Sequence, residues 1–296
     1  MKSNELRKIN LIPTGIFSID RTLKGWPEST LSVLTGFPGS GKTTVALSTA
    51  KTAKELGWDV YYFDSELGLD LDWMAKLGVP EMNIIRATGL EDTMDILKEL
   101  TKNRTFIIID SIAALEPEEE ESYGFRAKTL SQNLPRLLKQ MAESGSTLLA
   151  TNQVRRDFGP NRGIIIPGGF ALLHYASLVV ELSPFRKHRS GDEIVATEIA
   201  FKVEKLKHGD FSKAPRGTFI ISYSEGLNPS MELKELALFL KIIKEKANLY
   251  YYEDQQFTNR TLLNWLKKEG REIIINKIKE VIYNSKAEPE QISEEG

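Results

Sequence analysis

Apolar positions along the chain fall into two alternating patterns. Short apolar runs, which are typical of strands buried on both faces, are separated by longer segments in which apolar residues recur at helical spacing. Residues 105–110, for example, are an apolar run that ends in Asp110, and residues 90–103 before them carry Met94, Leu97 and Leu100 at helical spacing. Strands that alternate with helices predict a mainly parallel sheet wrapped by helices.

The same patterns assign elements along the first half of the chain. The predicted strands are residues 31–34, 59–64, 83–88, 105–110 and 144–153. The predicted helices are residues 17–25, 42–56, 69–78, 90–103 and 125–143. Pro135 lies inside the last helix and could kink it, because proline lacks a backbone N–H.

The pattern changes after about residue 177. Three β-rich stretches follow without helices between them, at residues 178–182, 196–206 and 217–224, and predict an antiparallel extension of the same sheet. From residue 231 the chain is helical again, with a hairpin-like insert at 248–259. The predicted fold is therefore α/β, with helices on both faces of the sheet, plus a small α+β domain. The expected divisions are an N-terminal segment (1–30), a core (31–229), a C-terminal domain (230–284) and an acidic disordered tail (285–296).

Composition restricts the class of protein without identifying it. Apolar residues make up 41% and charged residues 27% of the 296 positions, as in ordinary globular proteins. No apolar run is long enough to span a membrane, the first residues do not resemble a signal peptide, and a cytoplasmic protein is expected. The chain has no cysteine, which excludes disulfides and thiolate metal sites. A net charge of −2 means that nucleic-acid binding would need a local basic patch.

The stretch GFPGSGKTT, residues 36–44, has the spacing of a phosphate-binding loop. It follows a predicted strand and precedes a predicted helix, which is the context that this motif requires. Its backbone N–H groups and the helix N-terminus would face anionic oxygens, Lys42 would reach the terminal phosphates, and Thr43 would hold Mg²⁺. The alternative is a chance glycine turn. The predicted nucleotide contacts here are Gly36, Pro38, Gly39, Ser40, Gly41, Lys42, Thr43 and Thr44.

Hydrolysis needs further groups, and three residues at strand ends are candidates. Asp110 is the candidate for the Mg²⁺ shell, although an Asp-Ser pair before IAAL is also typical of a helix N-cap. Glu66 is the candidate base; it follows strand 59–64, which we expect beside the strand that enters the phosphate loop. Glu66 could instead be a solvated loop acid. Gln153 could sense the γ-phosphate and pass the signal to the loop after it.

Trp73 lies on the helix after Glu66 and could stack on adenine. A core position for Trp73 is equally consistent with its spacing.

Two loops are relevant to nucleic acid. The loop after Gln153 combines cations, an aromatic side chain and isoleucines, which suit phosphates and bases, and we expect it to lack secondary structure. The alternatives are a mobile surface loop and a contact with a neighbouring subunit. The candidate DNA contacts in this second loop are Arg155, Arg156, Phe158, Arg162, Ile164 and Ile165. The first loop, residues 116–124, is strongly acidic, and its glutamates are more typical of a solvated charge run.

Several motifs together resemble the RecA recombinases of bacteria and phages. The most specific are GFPGSGKTT, YYFDSELGLDLDWMAKLGV, FIIIDSIAALEP, TNQVR, PGGFALLHYAS and FKVEKLKHGDF. A further segment, KEKANLYYYEDQQFTNRTLLNWLK, resembles that family's small C-terminal domain. The resemblance covers about residues 12–282 and implies a RecA-like ATPase core.

The resemblance also implies roles for individual residues. Lys42, Thr43 and Asp110 would bind Mg-ATP, Glu66 would activate water, and Gln153 would couple the γ-phosphate to DNA. Asp70, Trp73 and Tyr223 fall where the family contacts or approaches adenine, and Lys205 and Lys207 fall where lysines reach the ATP of the adjacent protomer. The DNA contacts that it implies are Tyr123, Gly124, Lys128 and Ser131 in the first loop, and Arg155, Gly168 and Gly169 in the second.

The implied function is an ATP-dependent recombination protein. It would form a helical filament on single-stranded DNA, hydrolyse ATP at subunit interfaces and exchange strands with homologous duplex DNA. Residues 1–30 would then be a shortened form of the family's oligomerisation region. The alternatives are a RecA-like mediator or regulator without strand exchange, and a ring helicase of related fold.

Overall fold

The computed structural model describes residues 10–117, 124–156, 164–165, 169–207 and 215–287. The chain divides into two units, Met1–Leu227 and Asn228–Gly296. The sequence had suggested that the core ends at residue 229. Among the described residues, the first unit has two hydrophobic clusters and the second unit has one, and each unit is described separately below.

The first unit contains a nine-stranded sheet and six α-helices in the part that the structure describes. Its strands are β1 (Leu11–Ile12), β2 (Trp26–Pro27), β3 (Leu31–Gly36), β4 (Asp59–Asp64), β5 (Asn83–Ile85), β6 (Thr105–Asp110), β7 (Thr147–Gln153), β8 (Arg155–Arg156), β9 (Ile164–Ile165), β10 (Leu178–Ser190), β11 (Glu193–Leu206), β12 (Arg216–Ser222) and β13 (Gly226–Leu227). Its helices are α1 (Phe17–Leu23), α2 (Lys42–Glu55), α3 (Leu71–Leu77), α4 (Leu90–Leu100), α5 (Phe125–Ser144) and α6 (Gly169–Tyr175), with a short 3-10 helix at Ile112–Ala114. Helix α5 continues through Pro135.

The order of the large sheet is β13-β12-β11-β10-β3-β7-β6-β4-β5. The strands from β10 to β5 pair in parallel, whereas β10, β11, β12 and β13 pair antiparallel. This confirms the predicted parallel sheet with an antiparallel extension.

The expected position of β4 beside β3 was wrong. β3 pairs with β7 and β10, while β4 pairs with β6 and β5. The expectation rested on proximity along the chain, but two later strands, β6 and β7, lie between them. Their apolar residues are buried there, on both faces of the sheet.

Alternation within single strands explains why the central runs are apolar without interruption. In β6, Phe106 and Ile108 pack into the cluster that contains α2, whereas Ile107 and Ile109 pack into the cluster that contains α4 and α5. Successive side chains of a strand point to opposite faces, so a strand covered on both faces needs apolar residues at every position.

The described part of the N-terminal segment packs into the first of these clusters. Ile12, Ile16, Ile19 and Trp26 are fully buried there. The indole N–H of Trp26 donates to Thr49 Oγ1 on α2 at 3.0 Å. Residues 10–30 therefore contribute to the packing of the core.

The second unit is a small α+β domain. It consists of α7 (Pro229–Phe239), β14 (Lys244–Lys246), β15 (Leu249–Tyr252), β16 (Gln255–Phe257), α8 (Asn259–Leu266) and α9 (Glu269–Ala287). The three strands form an antiparallel sheet. Residues 244–246 were predicted to be helical and are instead its first strand. α9 extends three residues into the predicted tail, and residues 288–296 lie outside the described part.

Local capping explains where the first two helices of this unit, α7 and α8, begin. The side chain of Asn228 accepts hydrogen bonds from the backbone N–H groups of Ser230 and Met231, and Thr258 forms a capping box with Thr261. No helix in the described ranges has both the length and the apolar character needed to cross a bilayer.

Candidate functional site

The phosphate loop lies between β3 and α2, as predicted. Gly39 and Gly41 adopt left-handed backbone conformations, with φ of 73° and 85°. Gly41 is also the N-cap of α2, and a Cβ there would lie 2.7 Å from Ile221 Cδ1. The left-handed backbone conformation therefore favours glycine at position 41.

Lys42 is the first residue of α2 and is only 6% exposed. Its ammonium donates hydrogen bonds to the carbonyl oxygens of Gly36 and Phe37, both at 3.0 Å. Burial lowers the pKa of Lys42, and the carboxylates of Asp110 and Glu66 oppose this shift. The loop thus holds a partly desolvated cation, and bulk water screens its attraction for phosphate less than it would screen an exposed lysine.

Asp110 lies at the carboxyl end of β6, and three hydroxyl groups converge on it. Its Oδ2 accepts from Thr43 Oγ1 and Tyr62 OH, each at 2.7 Å, and its Oδ1 accepts from Thr151 Oγ1 at 2.5 Å. The N-cap of the 3-10 helix is Ser111, which makes no side-chain capping bond. The carboxylate of Asp110 therefore points to the phosphate loop and not to a helix terminus.

Tyr62 was not singled out from the sequence. Burial raises its pKa well above the usual value, and the carboxylate of Asp110 adds to this effect. Tyr62 therefore keeps its proton and remains a hydrogen-bond donor that fixes Asp110.

The side chains around Asp110 fit a magnesium ion. Mg²⁺ prefers oxygen ligands and is usually held by one or two carboxylates together with substrate phosphates. Thr43 and Asp110 provide a hydroxyl and a carboxylate within 2.7 Å of each other, beside the phosphate loop. Among the described residues, no group of three or more His, Asp or Glu side chains could hold a metal ion by itself.

Glu66 reaches the same region although β4 is three strands away from β3. Its Oε1 accepts hydrogen bonds from Ser111 Oγ at 2.7 Å and from Gln153 Nε2 at 2.6 Å. Ser65 supports this arrangement, because its backbone N–H donates to Asp110 O and its hydroxyl donates to Ser111 O. Three strand ends, those of β4, β6 and β7, thus meet at one carboxylate.

A cavity of about 390 Å³ connects these groups. Its lining includes residues 38–44 of the phosphate loop together with Glu66, Asp110 and Gln153. Gly36, a predicted nucleotide contact, is not among the described residues that line it. The remainder, which we call the apolar wall, is Trp73, Thr197, Ile199, Ile221 and Tyr223. Thr197, Ile199 and Ile221 had no sequence signal that pointed to a site, because their strands come from the antiparallel extension.

Two of the predicted adenine contacts lie on this wall and one does not. Trp73 is partly buried and donates from its indole N–H to Thr44 Oγ1 at 3.2 Å, and Tyr223 is 49% exposed. Asp70 is the N-cap of α3, where its side chain accepts from the backbone N–H groups of Asp72 and Trp73. Asp70 is not among the described residues that line the cavity.

Lys205 lies near the end of β11, and Lys207 follows that strand. The side chains of both residues contact the C-terminal end of α6. The ammonium of Lys205 donates to the carbonyl oxygens of Leu173 at 2.7 Å and His174 at 2.6 Å, and that of Lys207 donates to Tyr175 O at 3.4 Å. Burial lowers the pKa of Lys205, and the charge of Lys207 adds to the effect. Within the chain, the two lysines compensate the negative end of a helix.

The structure describes part of the predicted DNA-binding loops. Gly124 is the N-cap of α5, and Lys128 and Ser131 are exposed on that helix.

In the second loop, Arg155 and Arg156 form β8, which pairs antiparallel with β9 at Ile164 and Ile165. The expectation of a loop without secondary structure was therefore wrong at its base, where backbone pairing satisfies N–H and C=O groups. Gly169 begins α6. The predicted contacts Tyr123, Phe158, Arg162 and Gly168 lie outside the described residues.

Comparison with known proteins gives one family. A family model for the RecA N-terminal domain matches residues 1–228. A mitochondrial DNA repair protein recA homolog of Dictyostelium discoideum is 30% identical over 84% of this chain and 58% of its own length. Protein RecA of Bacteroides thetaiotaomicron is 30% identical over 86% of this chain and 81% of its own, and Protein RecA of Porphyromonas gingivalis is 29% identical over 96% and 88%. The chain thus spans less than two thirds of the first of these relatives and most of the other two.

Proposed function

The chain belongs to the family of the RecA N-terminal domain, and we propose that it is an ATP-dependent recombination and repair protein. It binds single-stranded DNA as a nucleoprotein filament, hydrolyses ATP when DNA is bound, and exchanges strands with a homologous duplex. The observation that carries this proposal is the hydrogen bond between Gln153 and Glu66, because it connects the candidate catalytic carboxylate to the strand that enters the second loop.

The nucleotide site supports phosphoryl transfer to water. Lys42 binds the terminal phosphates, and Thr43 and Asp110 hold Mg²⁺, which neutralises phosphate charge when it is bound. Glu66 orients the attacking water and accepts its proton. Ser111 and Gln153 donate to the same oxygen of Glu66, and so leave its other oxygen for the water.

The connection to DNA is short. Gln153 is the last residue of β7, and β8 begins two residues later at Arg155. A change in the hydrogen bonding of Gln153 therefore reaches the two arginines of β8 through one intervening residue. Arginine side chains neutralise phosphates, so β8 carries the residue type that suits contact with a DNA backbone.

Assembly into a filament rests on the family membership. Lys205 and Lys207 are proposed to reach the ATP of a neighbouring subunit, as the family resemblance implies. In the isolated chain they cap α6 instead, so assembly would require them to exchange partners.

The decisive experiment compares ATP turnover with and without single-stranded DNA, and images the same samples by electron microscopy. Wild-type protein is expected to hydrolyse ATP faster with DNA and to form helical filaments. Glu66→Gln is expected to bind ATP and DNA but to lose at least about 100-fold in turnover, because it removes the general base. A turnover rate that ignores DNA would contradict the proposal, and rings in place of filaments would favour a helicase.

A further inference from the structure

Two aromatic side chains of the apolar wall have their polar atoms engaged by threonines of the same cavity. The indole N–H of Trp73 donates to Thr44 Oγ1 at 3.2 Å. The phenol oxygen of Tyr223 lies 2.8 Å from Thr197 Oγ1. All four residues line the cavity. Each ring is thus oriented by a directional bond as well as by packing.

The backbone of Tyr223 is held too. Its N–H donates to Val195 O at 3.0 Å, and its carbonyl oxygen accepts from Lys76 Nζ at 3.3 Å. About half of the surface of Tyr223 is exposed, so packing alone would not restrict its ring to one rotamer. The bonds at the phenol and at the backbone restrict it.

Lys76 contacts both sides of the wall. Besides its bond to Tyr223 O, its ammonium lies 5.9 Å from the centre of the Trp73 ring, within the range of a cation–π interaction. Helix α3, which carries Trp73 and Lys76, is thereby tied to the segment after β12, which carries Tyr223. These contacts restrict the positions of the Trp73 and Tyr223 rings relative to each other.

We propose that Thr197 and Lys76 are positioning residues for the base of the bound nucleotide: they hold Tyr223 and Trp73 in the orientations that a purine base meets on entry. This inference rests on the proposed nucleotide binding. A base that stacks on a mobile aromatic ring must also order that ring, which costs conformational entropy and weakens binding. A ring that is already ordered avoids this cost. Because the bases of substrate and transition state stack alike, the benefit falls on binding and not on the chemical step.

The test is a double-mutant cycle between Thr197 and Tyr223, with Mg-ATP as the probe. Thr197→Val and Tyr223→Phe each remove one partner of the hydrogen bond and keep the shape of the side chain. Each is expected to raise the dissociation constant and the KM for ATP by about two- to tenfold, with kcat retained. The double variant is expected to be no weaker than either single variant, because both remove the same bond. Thr197→Ser keeps the hydroxyl and is expected to restore the KM.

Lys76 is tested beside a matched lysine. Lys76→Met is expected to raise the KM about twofold and Lys76→Arg to restore it, because the contact is exposed and weak. Lys51 also donates to α3, at Leu77 O, and Lys51→Met is the control that should leave the KM unchanged. Circular dichroism of each variant checks that it folds.

The outcomes separate this inference from the proposed function. Wild-type protein that does not bind Mg-ATP would overturn both. Wild-type binding with an unchanged KM in Thr197→Val, additive losses in the double variant, or a loss confined to kcat would overturn the positioning role alone.

Discussion

Gln153 Nε2 lies 2.6 Å from Glu66 Oε1, although the two residues are separated by 87 positions in the chain. The bond joins the end of β7 to the residues after β4, across the intervening strand β6. A carboxylate that is oriented from a neighbouring strand depends on that strand for its geometry. The conformation of the segment after Gln153 therefore affects the candidate base directly.

Replacing Gln153 by Met should weaken the coupling between DNA and hydrolysis. Methionine has a similar volume but no amide donor, so Glu66 would keep its bond to Ser111 and lose the bond to β7. We expect the ratio of DNA-stimulated to unstimulated ATP turnover to fall at least about tenfold, which corresponds to the loss of a charge-assisted hydrogen bond. Steady-state turnover with and without single-stranded DNA measures this ratio.

Ser111→Ala provides the comparison for this variant. It removes the other donor to the same oxygen of Glu66 but leaves the connection to β7. Equal losses of DNA stimulation in the two variants would mean that Gln153 only orients Glu66 and does not transmit a signal.

The buried ammonium of Lys42 should make the stability of the free protein depend on pH. Burial lowers its pKa from the ordinary value of 10.5, so between the lowered value and 10.5 the unfolded chain binds more protons than the folded chain. The contribution of Lys42 to the free energy of unfolding therefore increases as pH rises from its lowered pKa to 10.5. Below the lowered pKa, the folded protein carries the full energetic cost of burying the charged ammonium.

The variant Lys42→Met removes this contribution. Its stability relative to the wild type is expected to be greatest at neutral pH and to decline as pH approaches 10.5. Urea unfolding of both proteins without nucleotide, at neutral and at alkaline pH, measures the difference. A difference that stays constant with pH would contradict the prediction.

Thr49→Val should destabilise the core. The hydroxyl of Thr49 accepts from the indole N–H of Trp26, and both residues are fully buried. Valine fills the same space but leaves that donor without its partner, which should cost about 1–3 kcal/mol. Chemical unfolding measures the loss. Thr49→Ser retains the acceptor and should lose less, and an equal loss would point to packing as the cause.

Lys205→Met should weaken DNA binding through α6. Its ammonium caps the carbonyl oxygens of Leu173 and His174, and α6 begins where the second loop ends. Removing a cation from a helix C-terminus costs a modest free energy, so we expect the dissociation constant for single-stranded DNA to rise about two- to fivefold. Fluorescence anisotropy with labelled DNA measures it.

The control for this variant lies on the same strand. Lys202 is exposed, pairs with Glu204, and does not cap α6. Lys202→Met should bind DNA as tightly as the wild type. A matching loss in both variants would indicate a general effect of surface charge.

The phosphate loop and Asp110 could be predicted from the sequence because each depends on local order. A loop between a strand and a helix is defined by its own glycines, and the end of a buried strand is visible in its pattern. The same holds for the parallel sheet, whose strands are marked by unbroken apolar runs such as residues 105–110.

The remaining contacts of the site depend on how distant strands are ordered. The strand order places β6 and β7 between β3 and β4, and this brings Tyr62, Ser111 and Thr151 to the acids of the site. Thr197 and Ile221 reach the cavity through the register of β11 on β12. The spacing of residues within one segment predicts neither the order of the strands nor their register. These side chains could therefore not be assigned to the site from the sequence.

Strand β11 touches two places that matter for the proposed activity. Thr197 lies on the apolar wall, and Lys205, eight residues further along, caps α6. At about 3.3 Å per residue the two positions are about 26 Å apart. β11 pairs with β10 along this length, so the wall of the nucleotide cavity and the residue that anchors α6 belong to one continuous strand.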